Sequence, residues 1–258
     1  MLYETVVEKL KNSSYTVVLS GNGQIVENGY PVLRDGYSTY DNETKYGYSG
    51  EEIFSSAMYS TRKELFYRYY REELLDALSI PPGKGFTCLG ELEQMNAVDY
   101  VITSRIFGLP ERGGCSRVIN LHGTVYQNYC PHCGKEYSVE YIKESPKIPL
   151  CENCGTPIRP RVSLFGEMVD NGIMTRAAET IQKAELLLVL GANLNSPLCQ
   201  LVDYFEGREL ILVNQEEHYS DQYASLAVHS RSDEFLENLV NCIRTEYPQG
   251  VLPRKERQ

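Results

Sequence analysis

Cys130-Pro131-His132-Cys133-Gly134 and Cys151-Glu152-Asn153-Cys154-Gly155 form two Cys-x-x-Cys knuckles. Each knuckle sets two thiolates on one tight turn, and the glycine that follows lets the chain fold back beneath an ion. Four sulfurs close a tetrahedral zinc site and leave no position open for a substrate. Zinc at Cys130, Cys133, Cys151 and Cys154 is therefore expected to be structural. His132 lies inside the first knuckle but is not needed as a ligand. Two other stretches carry residues suited to chemistry. Ser20-Gly21-Asn22-Gly23 follows the apolar run Tyr15–Leu19, and a strand ending in a glycine turn is the setting of a phosphate-binding loop. Leu121-His122-Gly123 lies between an apolar run and the first knuckle; an imidazole titrating near neutrality suits a general base.

The elements that must position these residues read as an α/β fold. A short amphipathic helix is expected over Glu4–Asn12, then a buried strand at Tyr15–Leu19. Residues 30–50 are rich in Tyr, Gly, Asp and Asn with little periodicity, and read as a long loop of the kind that is usually functional or mobile. Glu51–Leu78 reads as helical, with the aromatic run Phe66-Tyr67-Arg68-Tyr69-Tyr70 as core and groove wall. Pro81-Pro82-Gly83 closes that block. Further helices are expected at Cys88–Met95, about 173–183, Pro197–Phe205 and Ser232–Thr245. Strands are expected at Val98–Ile102, Val118–Leu121, Leu186–Leu190, Leu210–Val213 and Leu226–Val228. Val/Ile/Leu-rich strands alternating with helices imply a parallel sheet covered on both faces, and in such sheets ligands bind beyond the carboxyl ends of the strands. A free-standing zinc ribbon that binds nucleic acid is the competing reading of the cysteines. The α/β surroundings argue against it.

The chain has 258 residues, 42% hydrophobic and 23% charged, with a net charge of -10 and a pI near 5.0. That length suits one large domain or two small ones. An acidic chain repels phosphate backbones and tolerates basic, lysine-bearing peptides. The exception is the short basic tail Arg254-Lys255-Glu256-Arg257. Cys88, Cys115, Cys199 and Cys242 read as small buried hydrophobes. Met1-Leu2-Tyr3-Glu4-Thr5 lacks a basic region followed by an apolar core, so no secretory signal is expected. No apolar run approaches membrane-spanning length. Zinc thiolates and free cysteines suit a reducing cytoplasm.

From about Leu19 to Leu239, the chain resembles the sirtuin family of NAD-dependent protein deacylases. The zinc knuckles, Arg159-Pro160, Phe165-Gly166-Glu167, Leu190-Gly191 and Val213-Asn214 stand in that family's order and at its spacings. The resemblance implies that Gly21, Asn22 and Gly23, with Glu27, Gly29 and Pro31 after them, form a dinucleotide phosphate loop. The family's Asp-Phe-Arg is here Val32-Leu33-Arg34, which keeps Arg34 for a phosphate and loses the aromatic and the aspartate. The family's Thr-Gln-Asn-Ile-Asp is here Thr103-Ser104-Arg105-Ile106-Phe107. In sirtuins that Asn helps to position the nicotinamide ribose, and that Asp accepts a hydrogen bond from the nicotinamide amide. Arg105 and Phe107 do neither in the same way. A guanidinium there opposes positive charge growing at the ribose carbon and favours an anion such as ADP-ribose.

His122 matches the family's base toward a ribose hydroxyl. Val162, Phe165, Gly166 and Glu167 match the segment that takes an acyl-lysine peptide as an added strand, with Ser163 in place of an apolar residue. Gly191-Ala192-Asn193 stands for Gly-Thr-Ser, and Asn214 for the residue that bonds the adenosine ribose. Ser230–Asp233, Ser232 included, lies where the family contacts adenine. The adenosine half of the pocket is thus better kept than the nicotinamide half.

The expected architecture is a sirtuin-type domain over 1–258. Its parallel-sheet, Rossmann-like nucleotide-binding core occupies about 1–30, 88–127 and 160–250, with a helical module at about 31–87 and a four-cysteine zinc module at about 128–159. The expected activity is NAD-dependent removal of acyl groups from protein lysine, releasing nicotinamide and O-acyl-ADP-ribose. His122 is the base. Gly21, Asn22, Gly23, Arg34, Thr103, Arg105, Gly191, Asn193, Asn214 and Ser232 are the cofactor set. NAD or ADP-ribose and an acyl-lysine protein are the partners, with no nucleic acid and no membrane. The alternatives are an NAD-consuming or ADP-ribosyl-transferring enzyme, and a catalytically inactive module that binds ADP-ribose or NAD.

Overall fold

The computed structural model describes residues 1–33 and 36–255, apart from the side chains of residues 36–38. Arg34, expected at a phosphate, lies outside the described residues. In chain order the elements are α1 (Leu2–Lys11), β1 (Thr16–Ser20), α2 (Asn22–Glu27), α3 (Gly36–Tyr46), α4 (Gly50–Ile53), α5 (Ser56–Thr61), α6 (Lys63–Tyr69) and α7 (Lys84–Gln94). Next come β2 (Tyr100–Thr103), α8 (Leu109–Arg112), β3 (Val118–Asn120), β4 (Gly123–Tyr129), β5 (Glu136–Tyr137), α9 (Val139–Glu144) and β6 (Arg159–Val162). The chain then runs through α10 (Asn171–Gln182), β7 (Leu186–Leu190), β8 (Glu209–Asn214), β9 (Leu226–His229) and α11 (Ser232–Glu246).

β1 and β7 are buried at every position, as apolar strands covered on both faces must be. They lie side by side in a parallel six-stranded sheet of order β3-β2-β1-β7-β8-β9. The two-residue period of a strand sends alternate side chains to opposite faces. Val18, Leu188 and Ile211 join one core with α1, α7 and α11. Val17, Leu187 and Leu212 join a second with α10 and the 3-10 segment Pro197–Tyr204. α11 fits its face by burying Phe235, Leu236, Leu239, Val240 and Ile243 at helical spacing. The strand order reverses at β1/β7, so the chain leaves the two strands in opposite directions and a crevice opens beyond Ser20 and Leu190.

Three expectations are corrected. Residues 30–50 are not one long loop, because α3 occupies Gly36–Tyr46. Its inward anchor is a tyrosine, which carries no apolar-periodicity signal. The Tyr46 hydroxyl donates to Glu72 (2.8 Å) and Glu73 (2.6 Å), and its ring meets Tyr69 edge-on at 5.3 Å. Glu51–Leu78 is helical but broken. Ser49 forms a capping box with Glu52 at α4, the Ser55 hydroxyl accepts from Met58 N at α5, and Arg62 leaves helical geometry between α5 and α6. A π-helical turn at Tyr70–Leu75 and a 3-10 turn at Asp76–Ser79 finish the block. Each serine hydroxyl supplies the acceptor that a new helix start requires. The aromatic run is core as expected: Phe54 stacks on Phe66 at 5.7 Å and on Tyr70 at 5.8 Å. The Pro197–Phe205 helix is a 3-10 segment.

β5, β4 and β6 form a separate antiparallel sheet that carries the knuckles. The knuckles repeat one hydrogen-bond pattern. Cys130 N donates to Lys135 O (2.9 Å) and Gly134 N to Cys130 O (2.9 Å); Cys151 N donates to Thr156 O (2.8 Å) and Gly155 N to Cys151 O (2.8 Å). Gly134 and Gly155 take φ of 74° and 70°, a conformation glycine adopts without strain. Cys88, Cys115 and Cys199 are buried and Cys242 is half-buried. Burial pushes the Cys115 thiol up to about 12 and the Cys88 thiol up to about 11. They are packing groups, not nucleophiles. No helix of the described residues is long and apolar enough to cross a membrane.

Candidate active site

Gly21 and Gly23 begin the turn after β1, and Gly191 follows β7. These turns touch backbone to backbone. A Cβ on Gly21 would stand 2.6 Å from the Ala192 Cβ, one on Gly23 2.9 Å from the Gly191 Cα, and one on Gly191, where φ is +60°, 2.5 Å from Gln24 N. The Gly21 amide donates to Leu190 O (2.8 Å) and the Gly23 amide to Gly191 O (2.7 Å). These two N–H groups hold the turns together and are not free for a ligand. The glycines therefore shape the floor of the crevice by permitting contact, rather than serving as donors.

The crevice opens into a cleft of about 1620 Å³ that runs from these turns past His122 to Phe165. Of the expected residues, Gly21, Asn22, Gly23, Arg105, His122, Phe165, Gly166, Glu167, Gly191, Asn193 and Asn214 line it. Three others do not. Thr103 is buried behind the wall, and its hydroxyl accepts from Arg105 N at 3.1 Å. Ser232 is buried at the start of α11, where the Ser232 and Asp233 amides donate to the Glu27 carboxylate at 3.0 and 3.2 Å. Val162 is buried in β6, opposite Gly123. Each supports a lining residue and forms no part of the wall itself. Arg231, one residue before Ser232, does line the cleft. So do Met174 and Tyr204, which follow no motif and which sequence reasoning missed. They come from α10 and the 3-10 segment Pro197–Tyr204, packed on the sheet's second face.

His122 stands between β3 and β4. Gly123 follows it with φ +74°, and a Cβ there would lie 2.0 Å from Arg161 O. His122 O accepts from Ser163 N at 2.9 Å, which ties the residue to the loop after β6. Its Nδ1 is buried without a partner among the described residues. Burial, reinforced by the nearby Arg105 guanidinium, holds the imidazole below its ordinary value of 6.5. At neutral pH it is therefore an uncharged base.

The loop after β6 is held on both sides. Ser56 N donates to Phe165 O (3.0 Å) and Phe165 N to Phe54 O (3.1 Å), a strand-like bridge to the helical segment. The Glu167 carboxylate receives two bonds from Arg159 Nη2 (2.6 and 2.7 Å) and one from Leu164 N (2.9 Å). Glu167 is thus a clasp that shapes the loop. Asn193 Oδ1 accepts from Asn195 N (3.1 Å), and Asn214 Nδ2 donates to Glu216 O (3.0 Å), so each keeps part of its amide for a ligand. Arg105 Nη2 donates to Asn22 Oδ1 on the turn after β1.

The four cysteine sulfurs lie within 4.8 Å of one another. The Cys130–Cys154 and Cys133–Cys151 pairs are 3.4 and 3.5 Å apart. Tetrahedral Zn–S bonds of about 2.3 Å place sulfurs a little under 4 Å apart, so the set fits zinc.

The Sir2 family model matches residues 21–196. An NAD-dependent protein deacetylase of Staphylococcus epidermidis is 34% identical over 233 residues, covering 90% of this chain and 94% of the relative. One from Thermotoga maritima is 31% identical over 241 residues, covering 91% and 96%. Among solved structures, a Sir2–p53 peptide–NAD+ complex matches at TM-score 0.78 and 31% identity, over 96% of this chain and 100% of the other. A Sir2 homologue in complex with NAD matches at TM-score 0.82 and 26% identity, over 94% of each.

Proposed function

The chain belongs to the Sir2 family, and on that premise we propose that it removes acyl groups from protein lysine with NAD as co-substrate, releasing nicotinamide and O-acyl-ADP-ribose. The observation that carries this reading is that the glycine turns, His122 and the Phe165 loop, far apart in sequence, line one cleft. NAD supplies ADP-ribose as the acyl acceptor. Gly21, Asn22, Gly23, Gly191, Asn193 and Asn214 bind the adenosine and diphosphate side, with Arg34 reserved for a phosphate. Thr103 and Ser232 act from behind, through Arg105 and Glu27. His122, uncharged at neutral pH, takes a proton from a ribose hydroxyl. The acyl-lysine peptide lies along the loop after β6, where Phe165 and Gly166 face the acyl group, Val162 backs them from β6 and Glu167 keeps the loop in shape.

Zinc at Cys130, Cys133, Cys151 and Cys154 ties β4 to β6 and has no part in the reaction. We divide the chain into a core at about 1–30, 88–127 and 160–250, a helical module at about 31–87 and a zinc module at about 128–159. A reducing cytoplasm suits its free thiols.

The test is nicotinamide release from NAD, followed by chromatography, with and without a mixed pool of acyl-lysine peptides and with His122→Ala as control. Release that needs both peptide and His122 supports deacylation; release without peptide points to an NAD-consuming or ADP-ribosyl-transferring enzyme. Arg105 in the cleft favours a second reading, an ADP-ribose-binding module without turnover. In that case nucleotide binds and neither condition releases nicotinamide.

A further inference from the structure

We propose that the Arg105 end of the cleft is an oxyanion subsite: the nucleotide this chain prefers carries a negative group at its distal end, or shares the cleft with a free oxyanion. The inference rests on reading the cleft as an adenine-dinucleotide site.

Arg105 is half-buried and lines the cleft between the phosphate turn and His122. Its side chain spends one donor on Asn22, and its Nε is buried with no partner among the described residues. A guanidinium offers five N–H donors in one plane. Among the described residues no carboxylate pairs with it. Four acids line the same cleft: Glu27 is engaged at the start of α11 and Glu167 with Arg159, while Asp203 and Glu216 form no ion pair with Arg105 among the described residues. A charge drawn out of water without a counterion is unfavourable, and an arriving anion relieves it. Carboxylate and phosphate match the fork of a guanidinium, two bonds at a time.

Phe107 forms the neighbouring wall. It is 3% exposed and its ring packs at 5.2 Å on Tyr30. The Tyr30 hydroxyl accepts from Arg112 Nη1 (2.5 Å) and donates to Ile80 O, so the wall is fixed. It offers an aromatic face and no side-chain acceptor for an amide N–H. A cation beside a flat apolar wall suits an aromatic ring that bears a carboxylate. It is a poorer match for the amide form, which bears the same pyridinium charge but has no carboxylate to offset its repulsion from the guanidinium. A carboxylate on the ring would also neutralise Arg105 and remove its opposition to positive charge at the ribose carbon.

The experiment is calorimetric titration of the full chain with ADP, ADP-ribose, NAD and nicotinic acid adenine dinucleotide, and with ADP-ribose in the presence of inorganic phosphate. Wild type, Arg105→Gln and Arg105→Lys are compared, with thermal melts to confirm folding. The acid dinucleotide should bind at least about tenfold tighter than NAD, a difference of about 1.4 kcal/mol. The gap should close in Arg105→Gln and persist in Arg105→Lys, while ADP, which ends at the diphosphate, binds all three alike. If phosphate instead tightens ADP-ribose in wild type and not in Arg105→Gln, the subsite takes a free oxyanion. Equal binding of NAD and its acid form, with no effect of phosphate, overturns the proposal. So does a loss of ADP affinity in Arg105→Gln, which would assign the guanidinium to the diphosphate. Wild type that binds neither ADP nor ADP-ribose overturns the dinucleotide reading itself, and the subsite with it.

Discussion

At the scale of single residues the cleft is organised by charge. His122 is kept neutral by burial and by Arg105. Its folded-state value is depressed, so the base form persists below 6.5, and the acid limb of kcat/KM should fall below that pH. Arg105→Gln removes the repelling cation and should move the limb upward, which a pH–rate profile of both proteins checks. The same sign governs stability. An unfolded His122 takes its proton near 6.5 and the folded one only at lower pH, so its contribution is present above 6.5 and lost as pH falls below it. Glu167 works through geometry instead. Glu167→Gln weakens the two bonds from Arg159, and charge-assisted bonds of this kind contribute about 1.5–3 kcal/mol. The KM for acyl-lysine peptide should rise several-fold while the KM for NAD stays near wild type, as steady-state kinetics with each substrate varied would reveal.

At the scale of elements, close contact of turns and closure of the small sheet decide the site. Gly191→Ala places a Cβ 2.5 Å from Gln24 N at φ +60°. Overpacking costs about 1–3 kcal/mol and left-handed backbone about 1–2 kcal/mol more for a residue with a Cβ. The variant should melt several degrees lower and lose nucleotide affinity, both visible in one thermal-shift series with ADP-ribose. The zinc module acts at longer range. β4 begins at Gly123, beside His122, and β6 ends at Val162, where the loop that carries Phe165 starts. Releasing the metal with a strong chelator, or making Cys151→Ser, should therefore unfold the knuckles and abolish acyl transfer, although no cysteine lines the cleft. Metal content by atomic absorption, measured alongside activity, tests the link.

At the scale of the whole molecule, a net charge of -10 favours basic peptide substrates. Raising salt from about 0.1 M to about 1 M shortens the screening length from about 10 Å to about 3 Å, so lysine-rich peptides should lose more affinity than neutral ones over that range. The fold is also closed by its far end. Arg254, in the short basic tail, pairs with Asp99 at 2.7 Å, both side chains being 4% exposed. Its Nε donates to Ser13 O (2.8 Å), and Asp99 accepts from Thr16 N (2.8 Å). Arg254→Ala removes the nearer of two cations from the buried Asp99 carboxylate, which keeps Arg117 Nη1 at 3.8 Å, and should cost about 1.5–3 kcal/mol, measurable by urea denaturation.

The strands, the knuckles and the glycine turns were legible in the chain because each is local: a β-branched run, a two-residue ligand spacing, a turn that only glycine tolerates. The same holds for His122, Arg105 and Asn214, which carry a motif beside them. What stayed illegible depends on contacts between distant residues. α3 is held by Tyr46 against Glu72, Glu73 and Tyr69, a polar-aromatic anchor with no periodicity to betray it. Thr103, Ser232 and Val162 fall behind the wall because strand and helix packing turns them inward. Met174, Tyr204 and Arg231 reach it because their elements pack at the crevice mouth. Tertiary structure also decided that Arg105 reaches the turn after β1 with no carboxylate partner among the described residues. Residue type alone determines a charge; only the surrounding fold determines whether that charge has a partner.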